Sequence, residues 1–310
     1  MRFTEDDVPS LVGTTALVTG ASSGLGLENA RALARRGAHV ILATRDPDRT
    51  AMAMTRIVRA VPQADLEHLP LDLADLSSIR QAVAAIHAQH PRLDIMLANA
   101  GVMGTPAMTT TDGFELQMGV NHLGHAALIA GLLPLLGRAR APRIVVVTSE
   151  MARLGRVDPM RLGEVVEPHR PWRAYAASKL ANLLYAFALT RHLDRVAPHI
   201  VVATAHPGYA ATDLQTRGPS MAGTRRARVR ARMLGAVTAV VAQSAAQGAL
   251  PQLRAATDPE VASGSAFGPA AGMRGAAIHV DPPARARDQE LADALFRRTE
   301  ALIGIEHAIA

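Results

Sequence analysis

Thr19-Gly20-Ala21-Ser22-Ser23-Gly24-Leu25-Gly26 stands between a short apolar run, Ala16 to Thr19, and a helix-period segment, Leu25 to Arg36. Three glycines in a strand-turn-helix setting describe a phosphate-binding turn. Gly20 permits the tight turn, Gly24 lets backbone approach a pyrophosphate, and Gly26 allows close helix packing. The free N–H groups of the helix start, with Ser22, Ser23 and Leu25 around them, face the anion. Outward from this turn, short β-branched runs alternate with longer helical patterns. Strands are predicted at Ala16–Thr19, His39–Thr44, Leu66–Leu69, Asp94–Ala98, Arg143–Thr148, Ile200–Ala205 and Ala277–Val280. Helices are predicted at Leu25–Arg36, Asp48–Val61, Ser77–His90, Asp112–Leu136 and Ala174–Ala197.

That alternation belongs to parallel strands joined by crossover helices, and strands this apolar are buried on both faces. The predicted fold class is α/β: a single Rossmann-type doubly wound parallel sheet of about seven strands with helices on both faces, one dinucleotide-binding domain over residues 1–310. Thr212 to Asp258 differs, being Gly- and Arg-rich at first and helical from about Met233. A segment so late in such a chain is placed to carry a substrate lid, over about 209–258.

The chain has 310 residues, 49% hydrophobic, 19% charged and 3% aromatic, a globular composition. It has no cysteine, which excludes a disulfide framework, a zinc-thiolate site, an iron-sulfur cluster and a cysteine nucleophile. No metal site is expected, and the chemistry falls to oxygen, nitrogen or a bound cofactor. Glu5, Asp6 and Asp7 occupy the region where a secretory signal carries basic residues, so export is not expected. Ala126 to Leu136 is about half the ~20 residues of a spanning helix and contains Pro134. A soluble, cytoplasmic protein is the expectation. The net charge of +6 would suit a polyanion, but aromatic residues are few and most arginines are scattered among acids, so no nucleic-acid partner is expected. Arg225, Arg226, Arg228, Arg230 and Arg232 form the exception, read as a solvated face or, alternatively, as a membrane-surface or anion contact.

At the end of the second predicted strand, a carboxylate binds a ribose 2′-hydroxyl and an arginine accepts a 2′-phosphate. The sequence there is Ala43-Thr44-Arg45-Asp46. Arg45 favours NADP over NAD, with Asp46 read as a cap of the next helix. Farther on, Tyr175-Ala176-Ala177-Ser178-Lys179 opens a long helical pattern, and a spacing of four places Tyr175 and Lys179 on one face. Lys179 is the single lysine among 33 basic residues, so a compact ammonium is kept here where arginine serves everywhere else. A neighbouring ammonium favours the phenolate, and Lys179 is expected to lower the Tyr175 pKa.

Together these motifs resemble the short-chain dehydrogenase/reductase family across most of the chain. The resemblance implies that Asp72 and Leu73 lie near adenine, that Asn99-Ala100-Gly101 follows the fourth strand, and that His206-Pro207-Gly208 and Thr212 pass the nicotinamide. It also implies a catalytic group of Asn121, Ser149, Tyr175 and Lys179. The long separation from Ser149 to Tyr175, the stretch Lys179-Leu180-Ala181-Asn182 and the late Gly268-Pro269 with Met273-Arg274-Gly275 resemble the retinol-dehydrogenase-like and protochlorophyllide-reductase-like branch. Light-driven protochlorophyllide reduction is disfavoured, since those enzymes use a cysteine donor. Ala98 departs from the family's frequent asparagine.

The implied mechanism is hydride transfer between nicotinamide and a carbonyl carbon, Tyr175 protonating the oxygen. Ser149 holds that oxygen, Lys179 binds the nicotinamide ribose, and Asn121 holds a water relaying protons through Lys179. The substrate pocket is expected around Gly104, Met151–Arg156, Tyr209–Met233 and Gly268–Gly275, for an apolar ketone, aldehyde or secondary alcohol. A homodimer or homotetramer through the helices carrying Asn121 and Tyr175 is implied. The alternative is an NADP-binding redox sensor or interaction protein without turnover, against which the complete set of Ser149, Tyr175 and Lys179 stands.

Overall fold

Alternate residues of each central strand enter opposite apolar cores, which is why the strands read as nearly unbroken hydrophobic runs. Leu17, Ile41, Met96, Ile144 and Val202 belong to one core. Ala16, Val18, Val40, Leu42, Ile95, Leu97 and Val145 belong to the other. The computed structural model describes residues 2–209 and 243–309. The strands are β1 (Thr15–Thr19), β2 (His39–Thr44), β3 (Asp65–Pro70), β4 (Ile95–Ala98), β5 (Arg143–Val147), β6 (Val201–Ala205), β7 (Ala266–Pro269) and β8 (Ala277–His279). They form one eight-stranded sheet in the order β3-β2-β1-β4-β5-β6-β7-β8. All neighbours are parallel except β7 and β8.

Helices α1 (Gly24–Arg35), α2 (Pro47–Ala60) and α7 (Ala245–Thr257) fill one face through Leu33, Ile57 and Leu253. The other face is filled by α3 (Leu76–Gln89), α4 (Leu116–Met118), α5 (Gly124–Leu136), α6 (Pro171–Val196) and α8 (Gln289–Ile303). Burying each large aliphatic side chain this way contributes about 1.5–3 kcal/mol, which is what the two-sided cover supplies. Asp46 caps α2, its side chain accepting from the Arg49 N–H at 3.1 Å, as expected. Helix α4 and α5 are continuous through a π-helical turn, Gly119–Leu123, so the helical run spans Leu116–Leu136. That run is long and apolar enough to cross a membrane, yet 83% of its apolar window is buried within the protein.

The structure differs from the sequence reading at two places. The strand expected at Ala277–Val280 is an antiparallel edge strand, and the seventh parallel strand is Ala266–Pro269. Its Gly and Pro argue against a central strand, but Gly268 is where the His206 ring lies against the backbone, leaving no room for a Cβ. Helix α8 was not expected either. Its buried Ala292, Leu295, Phe296, Thr299 and Ile303 follow helical spacing behind an Asp288 cap. The arginine cluster from 225 to 232, Thr212 and most of the expected lid lie outside the described residues.

Candidate active site

The phosphate-binding turn is held by contacts that only glycine satisfies. Gly20 has φ +69° and its N–H donates to the Ala43 carbonyl at 2.9 Å. A Cβ at Gly26 would sit 2.5 Å from the Gly20 carbonyl oxygen and 2.7 Å from Asn99 Nδ2. At the start of α1 the Ser23 side chain makes no cap bond, so the first N–H groups of the helix are not taken by it. Asn99 closes the turn: its Nδ2 donates to the Thr19 carbonyl at 2.9 Å. The Asn99 and Ala100 N–H groups both donate to Thr19 Oγ1 at 2.9 Å. Beyond the turn, Thr44 directs its hydroxyl at Thr50 Oγ1, 2.5 Å away, and so is not presented outward. Arg45 is exposed and reaches Asp72 Oδ2 at 3.5 Å, joining the residue expected at the 2′-position to the acid expected near adenine. Asp72 also accepts from the Ala74 N–H at 2.9 Å, which fixes the backbone beside Leu73.

Ser149 follows the end of β5 and Tyr175 and Lys179 lie in the first turns of α6, so strand and helix deliver the three side chains to one place. Ser149 Oγ accepts from the Met151 N–H at 3.2 Å and stands beside the Tyr175 phenol. Burial pushes that phenol up to about 12, while Ser149 acts in the opposite direction. The expected lowering of Tyr175 by Lys179 is therefore not what this site displays: burial dominates. Lys179 Nζ donates to the Val147 carbonyl at 3.1 Å and lies 5.9 Å from the Tyr175 ring centroid. Burial lowers Lys179 to about 8. Two backbone anchors hold its helix against β5: Thr148 Oγ1 donates to the Lys179 carbonyl at 2.9 Å, and Asn182 Nδ2 to the Val147 carbonyl at 3.0 Å.

Asn121 occupies the π-helical turn, a device common where a helix serves a site. Its Oδ1 accepts from the Val102 N–H at 2.8 Å, and its Nδ2 donates to the Val102 carbonyl at 2.9 Å and to Ser178 Oγ at 3.0 Å. Both amide protons are spent on protein, so the side chain positions the Gly101–Val102 backbone and has no donor left for a relay water. A Cβ at Gly101 would come within 3.0 Å of Asn121 Oδ1 and 3.7 Å of Lys179 Nζ, so this glycine keeps the space between them open. Sequence reading missed His125, buried behind the site. Its Nε2 lies 2.9 Å from Thr19 Oγ1 and its Nδ1 3.2 Å from the Asn121 carbonyl. Burial and the Lys179 charge lower it to about 4, so it is neutral and ties the cofactor turn to the Asn121 turn. The signal was its position in Asn121-His122-Leu123-Gly124-His125, one helical turn from Asn121.

Pro207 and Gly208 leave the end of β6 under the 269–273 loop. Gly208 has φ +65°, the Tyr209 N–H donates to the Met273 carbonyl at 2.7 Å, and Gln243 Nε2 donates to the Pro207 carbonyl at 2.6 Å. A cleft of about 20 Å³ lies beside Ser149, with Arg153, Thr204, His206 and Phe267 in its walls. The larger cavity, about 880 Å³, lies elsewhere: between Met118, Leu154, Val157, Leu162 and Ala174, with neither Ser149 nor Tyr175 in its lining. Among the described residues of the expected pocket segments, Leu154 and Arg156 reach it, and Glu115, Asp158, Arg161 and Arg173 make it less apolar than expected.

This assembly of turn, serine, tyrosine and lysine on a doubly wound sheet is that of a nicotinamide-dependent oxidoreductase. Residues 14–222 match the family model described as short chain dehydrogenase, and the chain belongs to that family. It is 35% identical to retinol dehydrogenase 13 of Homo sapiens, over 96% of this chain and 86% of that protein. It is 39% identical to human retinol dehydrogenase 14, over 65% of this chain and 63% of that one. Within the family it falls in the retinol-dehydrogenase-like branch. Among solved structures it is similar to an uncharacterized protein of Mycobacterium paratuberculosis, with TM-score 0.79, 34% identity and full coverage of both chains. It is also similar to a short chain dehydrogenase of Shigella flexneri complexed with NADP, with TM-score 0.63 and 25% identity over 84% of this chain and 99% of that one.

Proposed function

We propose that the protein is an NADP-preferring oxidoreductase acting on an apolar ketone, aldehyde or secondary alcohol, with Tyr175 as its acid–base group. The observation that carries this reading is the convergence of Ser149, buried Tyr175 and Lys179 at the end of β5, with Lys179 Nζ 5.9 Å from the Tyr175 ring. The glycine-lined turn fits a dinucleotide because the space that a Cβ would fill at Gly26 is bounded by the Gly20 backbone and Asn99. Gly20, Ser22, Ser23, Gly24, Leu25 and Gly26 would hold the pyrophosphate, Arg45 the 2′-phosphate, and Asp72 and Leu73 the adenine. Asn99, Ala100, Gly101, Pro207 and Gly208 would wall the nicotinamide half. Bound nicotinamide supplies the hydride in reduction and accepts it in oxidation.

The chain's own residues do the rest. The Ser149 hydroxyl, already fixed by the Met151 N–H, orients the carbonyl oxygen, and Tyr175 gives that oxygen its proton. Lys179 spends one N–H on Val147, which leaves donors for the ribose hydroxyls, and keeps a positive charge beside the phenol. The names of the human relatives, which denote an apolar alcohol as substrate, support the apolar class. NADP in the Shigella neighbour supports the cofactor.

Arg45 carries the cofactor choice. Arg45→Ser removes one charge-assisted contact, worth about 1.5–3 kcal/mol, so Kd for NADPH rises about 10- to 150-fold while Kd for NADH stays level. Fluorescence titration with both cofactors measures this, and an equal loss for both would remove Arg45 from the 2′-position. Turnover itself is tested with NADPH and NADH in parallel against a panel of apolar aldehydes and ketones. NADPH binding without turnover throughout the panel and in the reverse direction would favour the redox-sensing reading instead.

The pH dependence has a definite sign. Reduction needs Tyr175 protonated and Lys179 charged. With the phenol near 12 and the ammonium near 8 in the free protein, kcat/KM for NADPH is flat below pH 8 and falls tenfold per unit above it. Oxidation needs the phenolate together with the ammonium, a combination most populated between 8 and 12. A reductive limb that falls only with Tyr175, and not near 8, would contradict the Lys179 assignment.

A further inference from the structure

At the amino ends of β2 and β3, opposite the cofactor turn, three side chains from three elements converge on one point. His39 begins β2, Glu67 is the third residue of β3, and His90 caps the C-terminus of α3. Parallel register pairs His39 with Asp65 and Ile41 with Glu67, so His39, Asp65 and Glu67 share the face that α3 covers. Glu67 Oε2 lies 3.1 Å from His39 Nε2 and 3.0 Å from His90 Nε2, and one donor atom from each of the three falls within 4.8 Å of the others. The group is partly buried, with side-chain exposures of 25%, 23% and 12% for His39, Glu67 and His90, so water can complete a coordination sphere.

His39 has a second carboxylate beside it: Asp65 Oδ1 lies 3.0 Å from His39 Nδ1, on the opposite side of the ring from Glu67, so Nε2 is the nitrogen turned toward Glu67. The Glu67–His39 and Glu67–His90 spacings of 3.1 and 3.0 Å are a few tenths of an ångström shorter than the ~3.3–3.6 Å edge of a tetrahedron with metal–ligand bonds of about 2.0–2.2 Å, so a small opening of the cluster seats a cation. The carboxylate–histidine arrangement is the usual outer support of a metal-bound imidazole. The carbonyl end of α3 beside His90 also favours positive charge.

We propose that His39, Glu67 and His90 form a site for a borderline divalent cation, zinc in particular, with Asp65 orienting His39. Two imidazoles and one carboxylate select against magnesium and calcium, which prefer all-oxygen sites. Standing at the far end of the sheet from Ser149 and Tyr175, the ion fastens edge strand β3 to β2 and α3 and takes no part in the reaction.

The test uses the full chain, stripped with a chelator and titrated with zinc by calorimetry and with cobalt(II) by visible absorption. Absence of cysteine removes thiolates from the readout. One zinc per chain is expected, together with a cobalt d–d spectrum and a thermal midpoint that rises with zinc concentration. Glu67→Gln and His90→Gln abolish the stoichiometric binding and the midpoint rise, and Asp65→Asn weakens binding about 10- to 100-fold. Glu67→Gln is isosteric, so it serves if the histidine variant does not fold. Turnover with NADPH is unchanged by chelation. No zinc bound at large excess, or binding of equal strength in Glu67→Gln, overturns the site.

Discussion

Tyr175→Phe is expected to lower kcat for carbonyl reduction by about 10²–10⁴-fold, the contribution of a positioned general acid, while Kd for NADPH stays within twofold. The two readouts separate because Tyr175 has two different surroundings. Its ring is buried in the wall of the site at 5% exposure, and a phenylalanine ring fills the same space. Its hydroxyl faces Ser149, and that hydroxyl is what the substitution removes. Thermal stability should change little, since Ser149 keeps the Met151 N–H as partner and can turn its hydroxyl elsewhere. Stopped-flow reduction with prebound NADPH measures the chemical step. A variant that keeps a rate within threefold of the parent would transfer the proton to another group.

Gly26→Ala acts on the other half of the site. The added methyl would lie 2.5 Å from the Gly20 carbonyl oxygen and 2.7 Å from Asn99 Nδ2, and the first of these is backbone that cannot rotate aside. Gly20 is itself held by the Ala43 carbonyl and by φ +69°, and Ala100 lies where its Cβ would stand. Relief must come from moving α1 away from the turn, at about 1–3 kcal/mol. Stability falls by that amount in urea unfolding. Kd for NADPH rises about 5- to 140-fold by the same energy, because the N–H groups that would meet the pyrophosphate move with the helix. A stable variant of unchanged affinity would show that the pyrophosphate lies elsewhere.

The glycine turn and the Tyr175–Lys179 pair were legible because each is local: spacing within eight residues sets the geometry, and the sheet only delivers it. The parallel sheet was legible from apolar strands for the same reason. What was not legible depends on contacts between distant segments. Strand β7 contains Gly268 and Pro269, which read as a turn until the His206 ring is placed against Gly268. Helix α8 has an apolar stripe from Ala292 to Ile303 that is interrupted by Thr299 and becomes a buried face only when packed on α6. The Asn121 amide clasps Val102 and Ser178, partners 19 and 57 residues away that no local spacing announces. Likewise the phenol shift of Tyr175 was assigned to its neighbour Lys179, whereas burial by the whole fold outweighs it. His39, Glu67 and His90 have no motif spacing at all, and only the β2–β3 register and the end of α3 bring them together.

The most direct test of the proposed activity is a single-turnover experiment on the purified protein loaded with NADPH and mixed with each member of an apolar ketone and aldehyde panel. Loss of NADPH absorbance with formation of one equivalent of alcohol, abolished in Tyr175→Phe under saturating cofactor, is the result expected. Bound NADPH that persists unchanged through the whole panel, with no reverse reaction from the matching alcohols and NADP, would contradict an oxidoreductase of this substrate class.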